Sequence, residues 1–180
     1  DITLSDEIIT RVTDAYRKIR NTFRFMLGNL SDFDPDEHLV DYDELEEIDR
    51  WLLNRTAQAL ERSKGAYDTF QFHQIFHTFV QLCTVDMSNV YLDVSKDRLY
   101  CDATDSAARR SGQTALWLSL HAMARAMAPI LSFTCEEVWD FLPHAADDPT
   151  SVHLADFPTA WEGWLDESLE STWQRLLDIR

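Results

Sequence analysis

The chain has 180 residues, a formal charge of −16 and 45% hydrophobic residues, including ten Phe, six Trp and five Tyr. That is ample for a packed core, and with only four Gly and five Pro it favours long helices over β-turns. No stretch approaches the ~18 apolar residues of a membrane span, and the N-terminal Asp-Ile-Thr-Leu has neither the basic nor the apolar region of a signal peptide. Starting without Met and almost at once with a helix, the sequence reads as an excised domain of a longer protein.

The first predicted helix covers about residues 5–28, with Ser5 or Asp6 as N-cap and Gly28-Asn29 as the stop. Its apolar stripe is Ile8/Ile9, Val12, Ala15/Tyr16, Ile19, Phe23, Met26/Leu27 and Leu30, at spacings of three and four. Residues 31–42 read as an acidic loop around Pro35. A second helix is expected over 43–64, ended by Gly65. A third begins near Asp68 and runs to about Val94, a length that calls for a bend, placed at Asp86-Met87-Ser88-Asn89. Residues 95–104 read as a polar connection. The fourth helix runs from Ser106 to about Ala128, before Pro129, and the fifth follows Ser132 or Thr134 up to Pro143. Residues 151–158 form a short extended segment across the bundle end, and 165–179 a weaker last helix. The pattern is all-α: an antiparallel helical bundle in one domain over 1–180, with its core in about 5–143 and the crossing segment and C-terminal helix in 144–180.

Charge is unevenly spread. Ten acids and no Lys or Arg lie between residues 32 and 49, and acids dominate again from 140 onward. The first helix escapes this: Arg11, Arg17, Lys18, Arg20 and Arg24 face only Asp14 in the same stretch. At ~100° per residue, Val12, Tyr16 and Phe23 fall within roughly 60° of Ile19, while Arg17, Arg20, Asn21 and Arg24 fall between roughly 100° and 200°. Arg offers forked donors to phosphate oxygens, and Asn can pair with a base edge. The competing reading is a solvated face whose arginines pair with acids of the loop that follows. A second candidate patch is Tyr91-Leu92-Asp93-Val94-Ser95-Lys96-Asp97-Arg98-Leu99-Tyr100, where Lys96 and Arg98 lie between two aromatics able to stack on single-stranded bases. Lys96 and Arg98 equally suit the negative end of a helix, and Arg109-Arg110 would extend the patch.

Other constellations are weaker. His73 and His77 share a helix face, but no HExxH, ExxH or third ligand accompanies them, which disfavours a metalloenzyme bundle. Glu136-Glu137 point about 100° apart and read as a helix N-terminal acid with its neighbour rather than as an acid/base pair. Cys83, Cys101 and Cys135 are odd in number and widely spaced, so each reads as a small buried hydrophobe in a reducing compartment. No phosphate loop, GxSxG or nucleophilic-cysteine signature is present, and no catalytic or metal-ligating residue is assigned.

Taken together, Tyr16-Arg17-Lys18-Ile19-Arg20-Asn21-Thr22-Phe23-Arg24-Phe25 with Gly28-Asn29-Leu30 and Asp32-Phe33-Asp34-Pro35 resembles the anticodon-binding domain of bacterial-type isoleucyl-tRNA synthetases. The resemblance continues through Asp49-Arg50-Trp51-Leu52-Leu53, Asp86-Met87-Ser88, Tyr91-Leu92-Asp93, Lys96-Asp97-Arg98-Leu99-Tyr100 and Ser151-Val152-His153-Leu154. Ala128-Pro129-Ile130-Leu131-Ser132-Phe133 with Glu136-Glu137-Val138-Trp139 is similar to an element shared by the sister valyl and leucyl enzymes. The resemblance implies the class Ia anticodon-binding bundle, a cytoplasmic setting, and docking of the anticodon stem-loop of tRNA(Ile) rather than DNA or a membrane. It implies tRNA-binding roles for Arg17, Arg20, Asn21 and Arg24 on one wall and for Tyr91, Lys96, Arg98 and Tyr100 on another. HIGH and KMSKS are absent, so aminoacylation, with its ATP and magnesium, belongs to a catalytic domain elsewhere in the parent enzyme, and zinc to the C-terminal module that often closes such chains. The acidity implies that much of the tRNA affinity is shared among several domains. Two alternatives stand beside this: the same domain of a valyl- or leucyl-type enzyme, and a helical protein-interaction bundle with no nucleic-acid role. The latter predicts that the first-helix arginines pair with acids between residues 32 and 49.

Overall fold

The computed structural model describes residues 5–179; Asp1 to Leu4 and Arg180, which the sequence reading includes in the same domain, lie outside them. The described residues are all-α, with no strand among them. The principal elements are α1 (Asp6–Gly28), α2 (Pro35–His38), α3 (Glu47–Asp68), α4 (Phe72–Gln81), a π-helix (Leu82–Tyr91), α5 (Leu92–Cys101), α6 (Ala107–Met127), α7 (Ser132–Phe141) and α8 (Glu167–Ile179). Among these residues no helix is long and apolar enough to cross a membrane.

Helix α6 is the hub. Its small residues Ser111, Gly112, Ala115, Ser119, Ala122 and Ala126 are buried, so neighbouring backbones approach closely all around it. It packs on α3, α5, α7 and α1. Its polar groups satisfy neighbours rather than water: Thr56 donates to Ser119 Oγ at 3.1 Å, and the Glu46 and Val40 N–H groups donate to Ser111 and Thr114 hydroxyls at 2.8 and 3.1 Å. These last two bonds pin the acidic segment between α1 and α3. Asp32 within it accepts from Arg109 at 2.7 and 2.9 Å and from Gln113 at 2.8 Å. Burial alone would raise the Asp32 carboxyl, but the hydrogen bonds from Arg109 and Gln113 outweigh it and hold the group below the usual carboxylate range. The segment is therefore only partly the free acidic loop expected from composition, since Asp34 N-caps the short α2.

Several boundaries differ from expectation. Helix α1 starts after Ser5, whose hydroxyl accepts from Ile8 N–H, but its stripe is covered only from Tyr16 onward, where Tyr16 Oη meets Thr134 Oγ1 at 2.9 Å. Ile8, Ile9 and Val12 are about half exposed. Helix α3 begins at Glu47 because Tyr42–Glu44 forms a 3₁₀ turn, and it runs through Gly65 to Asp68. The reversal that follows puts Phe70, not a glycine, in the left-handed region (φ 57°). The polar connection expected over 95–104 is helix α5 as far as Cys101, because Ser95, Arg98 and Leu99 turn inward. At the residues where a bend is expected the chain forms the π-helix, in which the Leu92 N–H donates to Met87 O and Ser88 Oγ to Cys83 O at 2.7 Å, each five residues back. Glu136 does not sit in the first turn of α7; it accepts from the Ser151 hydroxyl and Val152 N–H at 3.0 and 3.1 Å and so fastens the Val152–Leu154 3₁₀ turn. Cys83 and Cys135 are buried as expected, whereas Cys101, at the exposed end of α5, is not.

Candidate nucleic-acid interface

Ile19, Thr22, Phe23 and Met26 face inward from α1, which leaves Arg17, Lys18, Arg20, Asn21, Arg24 and Gly28 on its outer surface. Between this surface and the π-helix and α5 lies a groove of about 660 Å³. Lys18, Asn21 and Phe25 line it from α1, Ser88 and Asn89 from the π-helix, and Asp93, Lys96 and Tyr100 from α5. It continues past Asn21, Phe25 and Tyr100 into a recess floored by Gly28 and Asn29 and edged by Arg24. The Phe25 and Tyr100 rings meet edge to face, centroids 6.0 Å apart, with Tyr100 64% exposed. Such a ring offers a stacking surface to an unpaired base.

Local sequence explains this arrangement. Lys18, Asn21 and Phe25 recur at spacings of three and four along one helix face, and Ser88, Leu92, Lys96 and Tyr100 recur at four along the facing one. Lys18, Phe25, Ser88 and Asn89 are absent from the set assigned by sequence. Their helical spacing is the available signal, but Ser88 and Asn89 fall at the bend expected in the third helix, which gives them no assigned face.

The same geometry removes two of the assigned residues. Arg98 is two positions from Lys96, about 200° around a helix, and therefore points inward. Its side chain is 15% exposed and forms a forked ion pair with Asp49, which is fully buried. Arg98 Nη1 donates to Asp49 Oδ2 at 2.8 Å and to Ala108 O at 3.2 Å, and Nη2 pairs with Asp49 Oδ1 and donates to Ser95 Oγ at 3.0 Å. Tyr91 is also fully buried; its hydroxyl donates to Asp49 Oδ1 at 2.6 Å. Burial, reinforced by the Asp49 carboxylate, pushes the Tyr91 hydroxyl well above its ordinary range. Tyr91 and Arg98 thus hold the wall in place and do not face the groove. Arg109 and Arg110 are drawn onto Asp32 and do not extend the patch.

The remaining cations differ in availability. Arg11 pairs with Glu7, Arg17 with Asp14 at 3.4 Å and Lys96 with Asp93 at 3.0 Å, all on exposed helix surface where such pairs are weak and easily exchanged. Arg20 pairs with Glu137 of α7 at 3.1 Å, across a second pocket of about 580 Å³ lined by Phe23, Leu27, Val138 and Phe141. Among the described residues, no hydrogen bond or ion pair engages the side chains of Lys18, Asn21 or Arg24. The α1 arginines do not pair with acids between residues 32 and 49: Asp32 is held by α6 and Asp49 by α5. That is the opposite of what the interaction-bundle reading predicts. His73 and His77 are exposed, and among the described residues no group of three or more His, Cys, Asp or Glu is placed to hold a metal ion.

Residues 49–180 match the family described as the anticodon-binding domain of tRNA ligase. Over its whole length the chain is 46% identical to the isoleucine–tRNA ligase of Moorella thermoacetica, 48% to that of Syntrophotalea carbinolica and 45% to that of Geobacter sulfurreducens. It spans 19% of the length of each of these relatives. The all-α fold, the exposed groove and the extent of the family match converge: this chain belongs to the anticodon-binding domain family of tRNA ligases.

Proposed function

We propose that the chain is the anticodon-binding domain of an isoleucine–tRNA ligase and that the groove between α1, the π-helix and α5 receives the anticodon stem-loop of tRNA(Ile). The observation that carries this is the convergence of Lys18, Arg24 and Lys96 with Asn21, Phe25 and Tyr100 in one groove of a chain whose net charge is −16. The cations neutralise phosphates, Tyr100 and Phe25 stack on loop bases, and Asn21 pairs with a base edge. Arg17 and Arg20 flank the groove and exchange their carboxylate partners for phosphate. Exposed rings beside cations suit splayed single-stranded bases rather than a continuous duplex.

In this reading the 180 residues act as one unit of a longer cytoplasmic enzyme. A separate catalytic domain of the same chain uses ATP with magnesium to attach isoleucine, and a C-terminal module carries zinc. The acidic remainder of the surface repels RNA from other faces, and the neighbouring domains contribute the rest of the affinity.

Fluorescence anisotropy of a labelled tRNA(Ile) anticodon stem-loop at two salt concentrations tests the proposal. Arg20→Ala/Arg24→Ala is expected to cost about 1–3 kcal/mol of binding and to flatten the salt dependence. Unchanged binding by the double variant would remove Arg20 and Arg24 from the interface.

A further inference from the structure

Arg55 of α3 holds two elements at once. Its Nη1 donates to Glu170 Oε1 on α8 at 2.8 Å, and its Nη2 to Asp86 Oδ2 on the π-helix at 3.2 Å. Nε lies 3.2 Å from Asp86 Oδ1. The Arg55, Asp86 and Glu170 side chains are only 17%, 9% and 28% exposed, so solvent screens these contacts poorly.

The two elements differ in how firmly they are otherwise held. Helix α8 has no fully buried residue. It is seated by Trp173 stacked on Trp51 at 5.1 Å, by Asn54 donating to Glu170 at 2.8 Å and accepting from Asp166 N–H at 2.9 Å, and by Arg55. The π-helix is anchored by its buried side chains, Leu82, Cys83, Met87, Val90 and Tyr91 among them, and by one buried charge. That charge is Asp86. Ser88 and Asn89, two and three residues further on, line the groove, and Ser88 Oγ meets Thr22 Oγ1 of α1 at 3.4 Å.

We infer that Arg55 is a positioning residue that couples the seating of α8 to the π-helical wall of the groove. With α8 docked, Glu170 takes one edge of the guanidinium and fixes the orientation of the fork, and Asp86 meets the other edge. With α8 undocked, the guanidinium keeps Gln58 of its own helix, which accepts from Nη1 at 2.9 Å, but loses the carboxylate that fixes the fork, and Asp86 meets a less firmly held partner. Whatever the groove holds is then bound more tightly when α8 is seated, and by reciprocity binding in the groove seats α8. That RNA is what the groove holds rests on the function proposed above; the coupling itself does not.

Amide hydrogen exchange on the 180-residue chain without RNA tests the coupling directly. Glu170→Gln keeps the volume of the side chain, removes its charge and turns one of the two oxygens that accept from Asn54 and Arg55 into a donor. It is expected to speed exchange at residues 88–90 roughly 2- to 30-fold, with the centre of α6 unaffected. In an Arg55→Lys background, which keeps the charge but loses the fork, the π-helix already exchanges faster and Glu170→Gln adds nothing. Unaltered exchange at 88–90 in Glu170→Gln overturns the inference, and so does an equal rise throughout α3, α6 and the π-helix, which marks general destabilisation. In the anisotropy assay, Glu170→Gln weakens stem-loop binding by a similar factor in wild type and not in Arg55→Lys. A stem-loop that fails to bind the wild-type chain counts against the RNA function, and the RNA-free exchange result still decides the coupling.

Discussion

Replacing Asp49 by Asn isolates the interaction that fixes the second wall of the groove. The Asp49 carboxylate is fully buried and accepts from Arg98, Tyr91 and Ser111. Asn keeps the volume but removes the charge, leaving the largely buried Arg98 guanidinium uncompensated and turning one acceptor into a donor that faces other donors. Breaking a buried pair from one side costs about 3–5 kcal/mol, a large part of the roughly 5–15 kcal/mol that holds a domain together. The melting temperature is then expected to fall on the order of 10 °C. Urea unfolding followed by fluorescence of the buried Trp51, Trp117 and Trp139 measures the loss. Arg98→Met supplies the control, because the double variant removes the uncompensated guanidinium and leaves Asn in place of Asp49 with the Tyr91 and Ser111 hydroxyls, and should recover at least about 1.5 kcal/mol of the summed single losses. A loss below about 1 kcal/mol for Asp49→Asn, well under the range for breaking a buried pair, would refute the clamp, as would strict additivity in the cycle.

Four further outcomes are expected. Tyr100→Ala should weaken stem-loop binding by about 1–3 kcal/mol through lost stacking, whereas Tyr91→Phe should lower stability and leave Tyr100-dependent binding in place; anisotropy and urea titration separate the two. Gly65→Ala should stabilise the chain by about 0.5–1 kcal/mol, because Gly65 lies inside α3 without positive φ and an added Cβ meets nothing within 4 Å; a loss in the urea midpoint would mean that the glycine is needed to end the helix. His121, stacked on Trp117 at 4.7 Å and bonded to Asp148 at 2.8 Å, is held below its ordinary 6.5 by burial and then by Arg125, with Asp148 opposing. Its neutral form is favoured by folding, so its contribution is complete above pH 6.5 and is lost as pH falls through the lower folded value; the decline in urea midpoint over that window should be shallower in His121→Asn. Burial pushes the Cys83 and Cys135 thiols up to about 12, so alkylation of the native chain at neutral pH should mark Cys101 alone, as mass spectrometry of peptides would show.

Much of the fold and half of the interface are legible in local sequence. The stripe from Ile19 through Met26 places one side of α1 in the core, and the same period places Lys18, Asn21, Arg24 and Phe25 on the face that borders the groove. Ser106 and Ser5 announce their helices because a hydroxyl satisfies an otherwise orphan N–H, a rule that acts within a few residues. The second wall differs from expectation for a reason that lies in tertiary structure. Ser95, Asp97 and Arg98 look like loop residues until the buried carboxylate of Asp49, about fifty positions earlier, is seen to receive Arg98.

The sequence by itself therefore determined the helix periodicity, the separation of basic from acidic segments and the family resemblance, because each depends on spacing along the chain. Only the tertiary structure decided which charges are free to meet a ligand. Asp32 draws in Arg109 and Arg110, Asp49 draws in Arg98, and Glu170 and Asp86 share Arg55, each across a separation that no local pattern encodes. A charge buried with its partner stabilises the fold and is lost to recognition, and a charge on an uncovered helix face remains available to it. Which of these a residue becomes depends on where a distant carboxylate lies after folding.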